Sequence, residues 1–429
     1  MIQNGSRSRF QYNSEANRLA APAHRRFVGV KRTVALQKER LGIMYKTFVY
    51  IGSWWASDGP TAGISVYEFN SDTGTLTLLK RVCEELSVGA LWMDRSNRRL
   101  FASDEVENNP LFRKGGGGQI VEFAADAETG DLTEICRVPS FGSNPCSLVT
   151  DPSGRYLLAA NHGGRAAATY TETDEDGQIS IRIRKAESSI VLFPVSGEGA
   201  IGRPCDILRL SGEGPGPNQY GPHAHSIRRS PDGTLYAVCN QGADRLIMLK
   251  LDAEHGKLIK CGDSPFECAP GSHPRYSIFH PELPYLYVDK ETTPMVSAFR
   301  FDPEGRLTRA GSFMSVPEDT ELPSGFIQTD LCINNEGTRL YVLLRQLNVL
   351  RVFGIDKETG ALSPLQLVTG IPDYARACAM SPDGRFLLTA SYRAGAVVSY
   401  PVLNDGTLGE AVSRTEQPLA GAIAFYSAR

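Results

Sequence analysis

Ser381-Pro-Asp-Gly-Arg-Phe-Leu-Leu-Thr-Ala-Ser-Tyr392 decides the fold, because the same arrangement returns along the chain. A Pro-Asp-Gly type of turn leads into an apolar strand of four to six residues that ends on polar side chains, the pattern of a hairpin entering a buried strand. Upstream copies are Asp94-Arg-Ser-Asn-Arg-Arg-Leu-Phe-Ala-Ser-Asp-Glu105, Asp151-Pro-Ser-Gly-Arg-Tyr-Leu-Leu-Ala-Ala-Asn-His162 and Ser230-Pro-Asp-Gly-Thr-Leu-Tyr-Ala-Val-Cys-Asn-Gln241. His280-Pro-Glu-Leu-Pro-Tyr-Leu-Tyr-Val-Asp-Lys-Glu291 and Asn334-Asn-Glu-Gly-Thr-Arg-Leu-Tyr-Val-Leu-Leu-Arg345 complete the six. Their start-to-start intervals are 57, 79, 50, 54 and 47 residues, and the strand Thr47-Phe-Val-Tyr-Ile51 supplies a seventh unit without the preceding turn.

A second landmark falls between these turns: an alternating strand followed by Asp-x-x-Thr-Gly-x-Leu or a shortened form. It reads Val66-Tyr-Glu-Phe-Asn-Ser-Asp-Thr-Gly-Thr-Leu76, Val121-Glu-Phe-Ala-Ala-Asp-Ala-Glu-Thr-Gly-Asp-Leu132, Phe299-Arg-Phe-Asp-Pro-Glu-Gly-Arg-Leu307 and Val352-Phe-Gly-Ile-Asp-Lys-Glu-Thr-Gly-Ala-Leu362. Each unit therefore holds about four short strands. A sheet of that size cannot bury both faces alone, whereas radial stacking buries every face and leaves only short edges. The expected fold is all-β, a seven-bladed β-propeller over residues 44–429. A parallel β-helix has much shorter repeats, and a β-sandwich would not recur at a fixed period. The long interval places an extra 25 or so residues near Arg165 to Ser189, read as a surface hairpin inserted in a blade or as a loose linker.

Composition narrows the function. Of 429 residues, 41% are hydrophobic and 22% charged, so a large core is available. A formal net charge of -3 gives no reason to expect nucleic acid or an anionic membrane as partner. No stretch approaches the roughly 18 apolar residues of a membrane span. The nine cysteines are scattered and never spaced CxxC, which signals neither a disulfide framework nor zinc and fits a reducing cytoplasm. Residues 1–43 stand apart: nine basic residues face only Glu15 and Glu39, strand periodicity is missing, and Met44 precedes the first clear strand. They read as a disordered extension or misassigned start ahead of a targeting signal.

Propellers place ligands at the mouth of the central channel, so the ends of the repeated strands, taken as the innermost of each blade, are the places to look. They read Asp104-Glu105, Asn161-His162, Asn240-Gln241, Asp289-Lys290-Glu291, Leu344-Arg345 and Ser391-Tyr392-Arg393. His223-x-His225 has the alternate spacing that puts both rings on one face of a strand, but no carboxylate accompanies it in a metal pattern, and neither a metal nor another cofactor is expected.

Gly214-Pro-Gly-Pro-Asn-Gln-Tyr-Gly-Pro-His-Ala-His-Ser226, followed by Ser230-Pro-Asp-Gly233, resembles the propeller-type lactonases, the family of the 6-phosphogluconolactonases and the fungal carboxymuconate cyclases. Tyr50-Ile-Gly-Ser53, Asn144-Pro-Cys-Ser147, Ala160-Asn-His-Gly-Gly164 and Gly271-Ser-His-Pro-Arg275 share that resemblance, which runs from about Met44 to about Gly409. His162, Asp289-Lys290 and Ser391-Tyr392-Arg393 depart from the family's usual residues. The resemblance implies a site of His223 or His225, Arg275, Glu291 and Arg345. Lactone opening needs a base for water and a positive field for the oxyanion, and an anionic substrate needs a fork-shaped cation. His225 is the candidate base, the arginines the substrate clamp, and Glu291 the group that orients His or water. The expected activity is metal-independent hydrolysis of a sugar lactone, 6-phosphogluconolactone first, so that the partner is a small anionic lactone or its open-chain acid. The alternatives are a muconate-type cyclase and a non-catalytic binding scaffold.

Overall fold

The repeated turns and strands close into a ring. The computed structural model describes residues 46–427 apart from 55–61, 110–115, 165–167, 185–186, 198, 217 and 263; the expected extension 1–43 lies outside the described residues. Its strands form seven antiparallel blades of four main strands each, and a separate two-stranded hairpin. Blades 1 to 6 follow chain order over residues 88–139, 145–209, 224–260, 274–314, 327–369 and 375–416. Blade 7 joins the two ends of the propeller: Ala420–Ser427 pairs with Thr47–Ser53, which is followed outward by Ile64–Phe69 and Leu76–Val82. This explains why the strand at Thr47 has no turn before it. Its inner neighbour comes from the other end of the chain, in a register running from Thr47↔Ser427 to Gly52↔Ala422.

The strands that carry the repeat, such as Tyr285–Lys290 and Arg339–Arg345, are the second strand of each blade and not the innermost. The innermost are the strands before the turn: Val88–Asp94, Pro145–Thr150, Ala224–Arg229, Pro274–Phe279, Ile327–Ile333, Ala375–Met380 and Ala420–Ser427, each touching the next around a closed circle. Second strands are sandwiched between neighbouring blades on both faces and so read as unbroken apolar runs. Inner strands turn their free edge to the axial channel and are mixed in character, which hides them. A cavity of about 520 Å³ occupies that channel.

The two sequence landmarks meet across blade boundaries. Tyr50, Tyr287 and Tyr341, on second strands, donate their hydroxyls to the carbonyls of Gly130, Gly360 and Gly406 in the third-to-fourth-strand turn of the next blade, at 3.1, 3.0 and 2.8 Å. The turn glycines have positive φ and lie against second-strand side chains. A Cβ on Gly130 would sit 2.4 Å from Phe48, and one on Gly360 would sit 2.6 Å from Tyr285. Glycine supplies both the left-handed turn and the close approach. The inserted segment in blade 2 is a hairpin, Ala168–Thr173 against Ile179–Arg184, between the blade's second and third strands.

Candidate functional site

Each inner strand carries a β-bulge at the same place. Register shifts pass over Gly89, Cys146, His225, Thr329 and Arg376 in blades 1, 2, 3, 5 and 6, over Arg275 and Tyr276 in blade 4, and over Gly421 in blade 7. A bulge leaves its residue out of the ladder and re-aims its side chain. Here the re-aimed residues form one ring at the end of the channel where second strands finish, and those strands supply a second ring: Trp54, Glu105, His162, Gln241, Glu291, Arg345 and Tyr392.

The expected residues come together at these rings. His225 is a bulge residue and His223 lies just ahead of its strand, at 7% and 5% exposure; Arg275 and Arg345 are each 4% exposed. Arg275 donates from Nε to Glu291 Oε2 at 2.8 Å and from Nη1 to the carbonyl of Thr329, and its guanidinium lies 4.9 Å from the Tyr276 ring centre. Asp289 Oδ1 accepts the Tyr276 backbone N–H at 2.5 Å, pinning that bulge. His223 Nδ1 lies 3.1 Å from the His162 carbonyl oxygen and donates to it in the tautomer that carries the proton on Nδ1. His162 stacks on His223 at 4.3 Å and meets His225 edge-on at 5.7 Å, while Tyr276 closes the far side of His225 at 5.0 Å. Nδ1 of His225 has no hydrogen-bond partner.

Electrostatics separates the groups. Burial, then the charge of Arg275, His162, Arg376 and Arg345, holds His225 well below the usual histidine range, and burial followed by His162 lowers His223 to about 4. Both rings are neutral at physiological pH. Burial opposes the charge on Arg275, but Tyr276, Glu291, Asp289 and Asp330 outweigh it and raise its pKa. Burial, then the repulsion of Arg275 and Arg376, presses Arg345 below the ordinary guanidinium range.

Arg376 escaped the sequence reasoning. It is 4% exposed, donates to Glu105 Oε2 at 2.9 Å and lies 3.6 Å above the Trp54 ring. A signal was present: Gly89, Cys146, His225, Arg275, Thr329 and Arg376 each stand five residues before their repeated turn. Among the described residues no group of three or more His, Cys, Asp or Glu is placed to hold a metal ion, and no helix is long and apolar enough to cross a membrane.

A closed propeller with neutral histidines, arginines and glutamates gathered at one end of its axial channel has the makings of a small-molecule enzyme. The chain belongs to the lactonase family of seven-bladed β-propellers, matching it over residues 48–425. It is 23% identical over 362 residues to the 6-phosphogluconolactonase of Bacillus subtilis (strain 168), covering 83% of this chain and 91% of that one. A second relative, the 6-phosphogluconolactonase of Formosa agariphila, is 26% identical over 356 residues, with 82% and 91% covered. Among solved structures, the periplasmic gluconolactonase of Pseudomonas aeruginosa superposes with a TM-score of 0.76 at 23% identity, covering 90% of this chain and 99% of that one. A Lactobacillus plantarum protein gives 0.73 at 20% identity, with 89% and 99% covered. The protein is thus a lactone hydrolase of propeller type, and the scaffold reading falls away.

Proposed function

We propose that this enzyme hydrolyses an anionic sugar lactone, with 6-phosphogluconolactone the first substrate, to its open-chain acid at the double ring, without a metal. The observation that carries the reading is a neutral imidazole, His225, whose Nδ1 has no hydrogen-bond partner and which is set among three guanidinium groups. His225 takes a proton from water as the water oxygen attacks the lactone carbonyl. The tetrahedral oxyanion forms beside Arg275, and on collapse the ring C–O bond breaks and the leaving alkoxide recovers the proton. Glu291 orients Arg275 through its Nε, and His223, fixed by the His162 carbonyl and the stacked ring, positions the neighbouring strand end. An anionic substrate offsets the arginine charges that oppose protonation of His225, so binding itself strengthens the base. Relatives named 6-phosphogluconolactonase support the substrate. A cytoplasmic location is proposed from the nine unpaired cysteines, although one structural neighbour is periplasmic.

The test is acid release from 6-phosphogluconolactone at neutral pH, corrected for spontaneous opening. Replacing the base as His225→Gln is expected to lower kcat by about 100-fold or more, and His223→Gln by less. Full activity in His225→Gln would remove His225 from the chemistry.

A further inference from the structure

We propose that Arg376 and Arg345 form a phosphate seat at the seam where the propeller closes, and that Arg376 is the residue by which the enzyme selects a phosphorylated lactone over a neutral one. This rests on the lactonase reading above and assigns a place to the substrate's remote end.

Arg376 starts from the bulge of blade 6, and the next two bulge positions around the ring are Gly421 and Gly89. A Cβ on Gly421 would lie 2.5 Å from Trp54 Cβ, and one on Gly89 would lie 1.7 Å from Glu105 Oε2. Only glycine at both places lets Trp54 and Glu105 come in to meet the guanidinium, which stacks on the indole in blade 7 and bonds the carboxylate in blade 1. Gly89, Arg376 and Gly421 line the channel cavity, while Arg345, Trp54 and Glu105 stand outside its lining.

Arg345 is held by a different device. Its guanidinium lies 4.3 Å from the ring centre of Tyr374, which also carries Arg393 at 4.3 Å and keeps a left-handed φ of 60°. Neither cation is satisfied by this fixing. Arg345 Nε and Nη2 and Arg376 Nη1 are buried with no hydrogen-bond partner, and the two charges repel one another. Glu105 is the carboxylate paired with Arg376, and no ion pair is formed by Arg345 among the described residues. Three buried charged donors without acceptors are costly unless a ligand supplies them. The three oxygens of a phosphate monoester can accept from the three unpartnered nitrogens of the two forks, where a carboxylate offers two oxygens. Arg275 has no such vacancy on Nε or Nη1, which Glu291 and Thr329 occupy. Glu105 acts through Arg376 and is a positioning residue.

The experiment measures binding by calorimetry, with 6-phosphogluconate and gluconate as probes, on the full chain and on Arg376→Met, Arg376→Lys, Arg345→Met and Glu105→Gln, each checked by thermal melting. The parent is expected to bind 6-phosphogluconate about 100-fold more tightly than gluconate. That ratio should fall by about tenfold or more in Arg376→Met and Arg345→Met, and be partly recovered in Arg376→Lys. Glu105→Gln should reduce the ratio less than Arg376→Met. Should Arg376→Met not fold, Arg345→Met and Arg376→Lys read the same ratio. Equal binding of the two acids by the parent, or a ratio unchanged in the folded arginine variants, overturns the seat. Absence of turnover on any lactone with the binding preference intact overturns the lactonase reading and leaves the seat standing.

Discussion

Asp289 shows how much the site depends on single buried groups. It is wholly buried in blade 4, and burial pushes its carboxyl up to about 8 against the pull of Arg275. The folded protein therefore keeps this carboxyl protonated at pH 7, while the unfolded chain ionises it near 3.9. A folded pKa raised above the unfolded one stabilises fully only below the unfolded value, and the benefit is lost as pH rises through about 8. Asn cannot ionise. Asp289→Asn is expected to gain stability over the parent as pH rises from 5 to 8, by on the order of 1 kcal/mol per pH unit, read from thermal melts. A difference that stays constant with pH would place the carboxyl's pKa near its ordinary value. At this scale the sequence was legible where a motif was distinctive. Pro-His-Ala-His and Pro-Arg pointed to His223, His225 and Arg275, whereas Arg376, flanked by Ala375 and Ala377, had only its distance from the turn to mark it.

Among the elements, second strands were easy to read and inner strands were not. Phe386–Ser391 is buried at every position, but Pro274–Phe279 mixes buried and half-buried residues because one side faces the channel. Period and apolar run length therefore found the wrong strand of each pair, and the bulges that aim the site are invisible to a strict alternation rule. The hairpin of blade 2 was legible from its alternation, yet it is peripheral. Ile179, Ile181 and Ile183 are 75%, 74% and 61% exposed, so they add little to the core. Because Ala168 and Arg184 are paired across the hairpin, the residues between them can be replaced by a two-glycine turn without stretching the blade. That deletion is expected to change unfolding free energy by less than about 1 kcal/mol in a denaturant titration. A larger loss would show that the hairpin supports the blade.

The whole molecule is a circle held shut by one strand. Ala420–Ser427 carries the buried Phe425 and Tyr426 into two core clusters and pairs along the full length of Thr47–Ser53. A chain ending at Glu416 loses that strand, opens blade 7 and exposes the edge of Thr47–Ser53, so no cooperative melt is expected by circular dichroism. Residues 1–43 are proposed to be dispensable for folding, and their removal should leave the melting midpoint within about 2 °C. The number of blades was legible from the repeat, but the closure was not, because the pairing of chain ends has no local signature. Closure also brings Arg376 of blade 6 to Glu105 of blade 1, so the site depends on the seam as much as on any blade. Lactone hydrolysis at the double ring is tested by kcat/KM for 6-phosphogluconolactone in the parent and in Arg275→Lys, which keeps the charge but not the fork that reaches both Glu291 and Thr329. Clear acceleration by the parent is expected, with a loss of about 100-fold or more in a variant that melts like the parent; a parent that does not accelerate hydrolysis, or a folded variant as active as the parent, would rule out hydrolysis at this site.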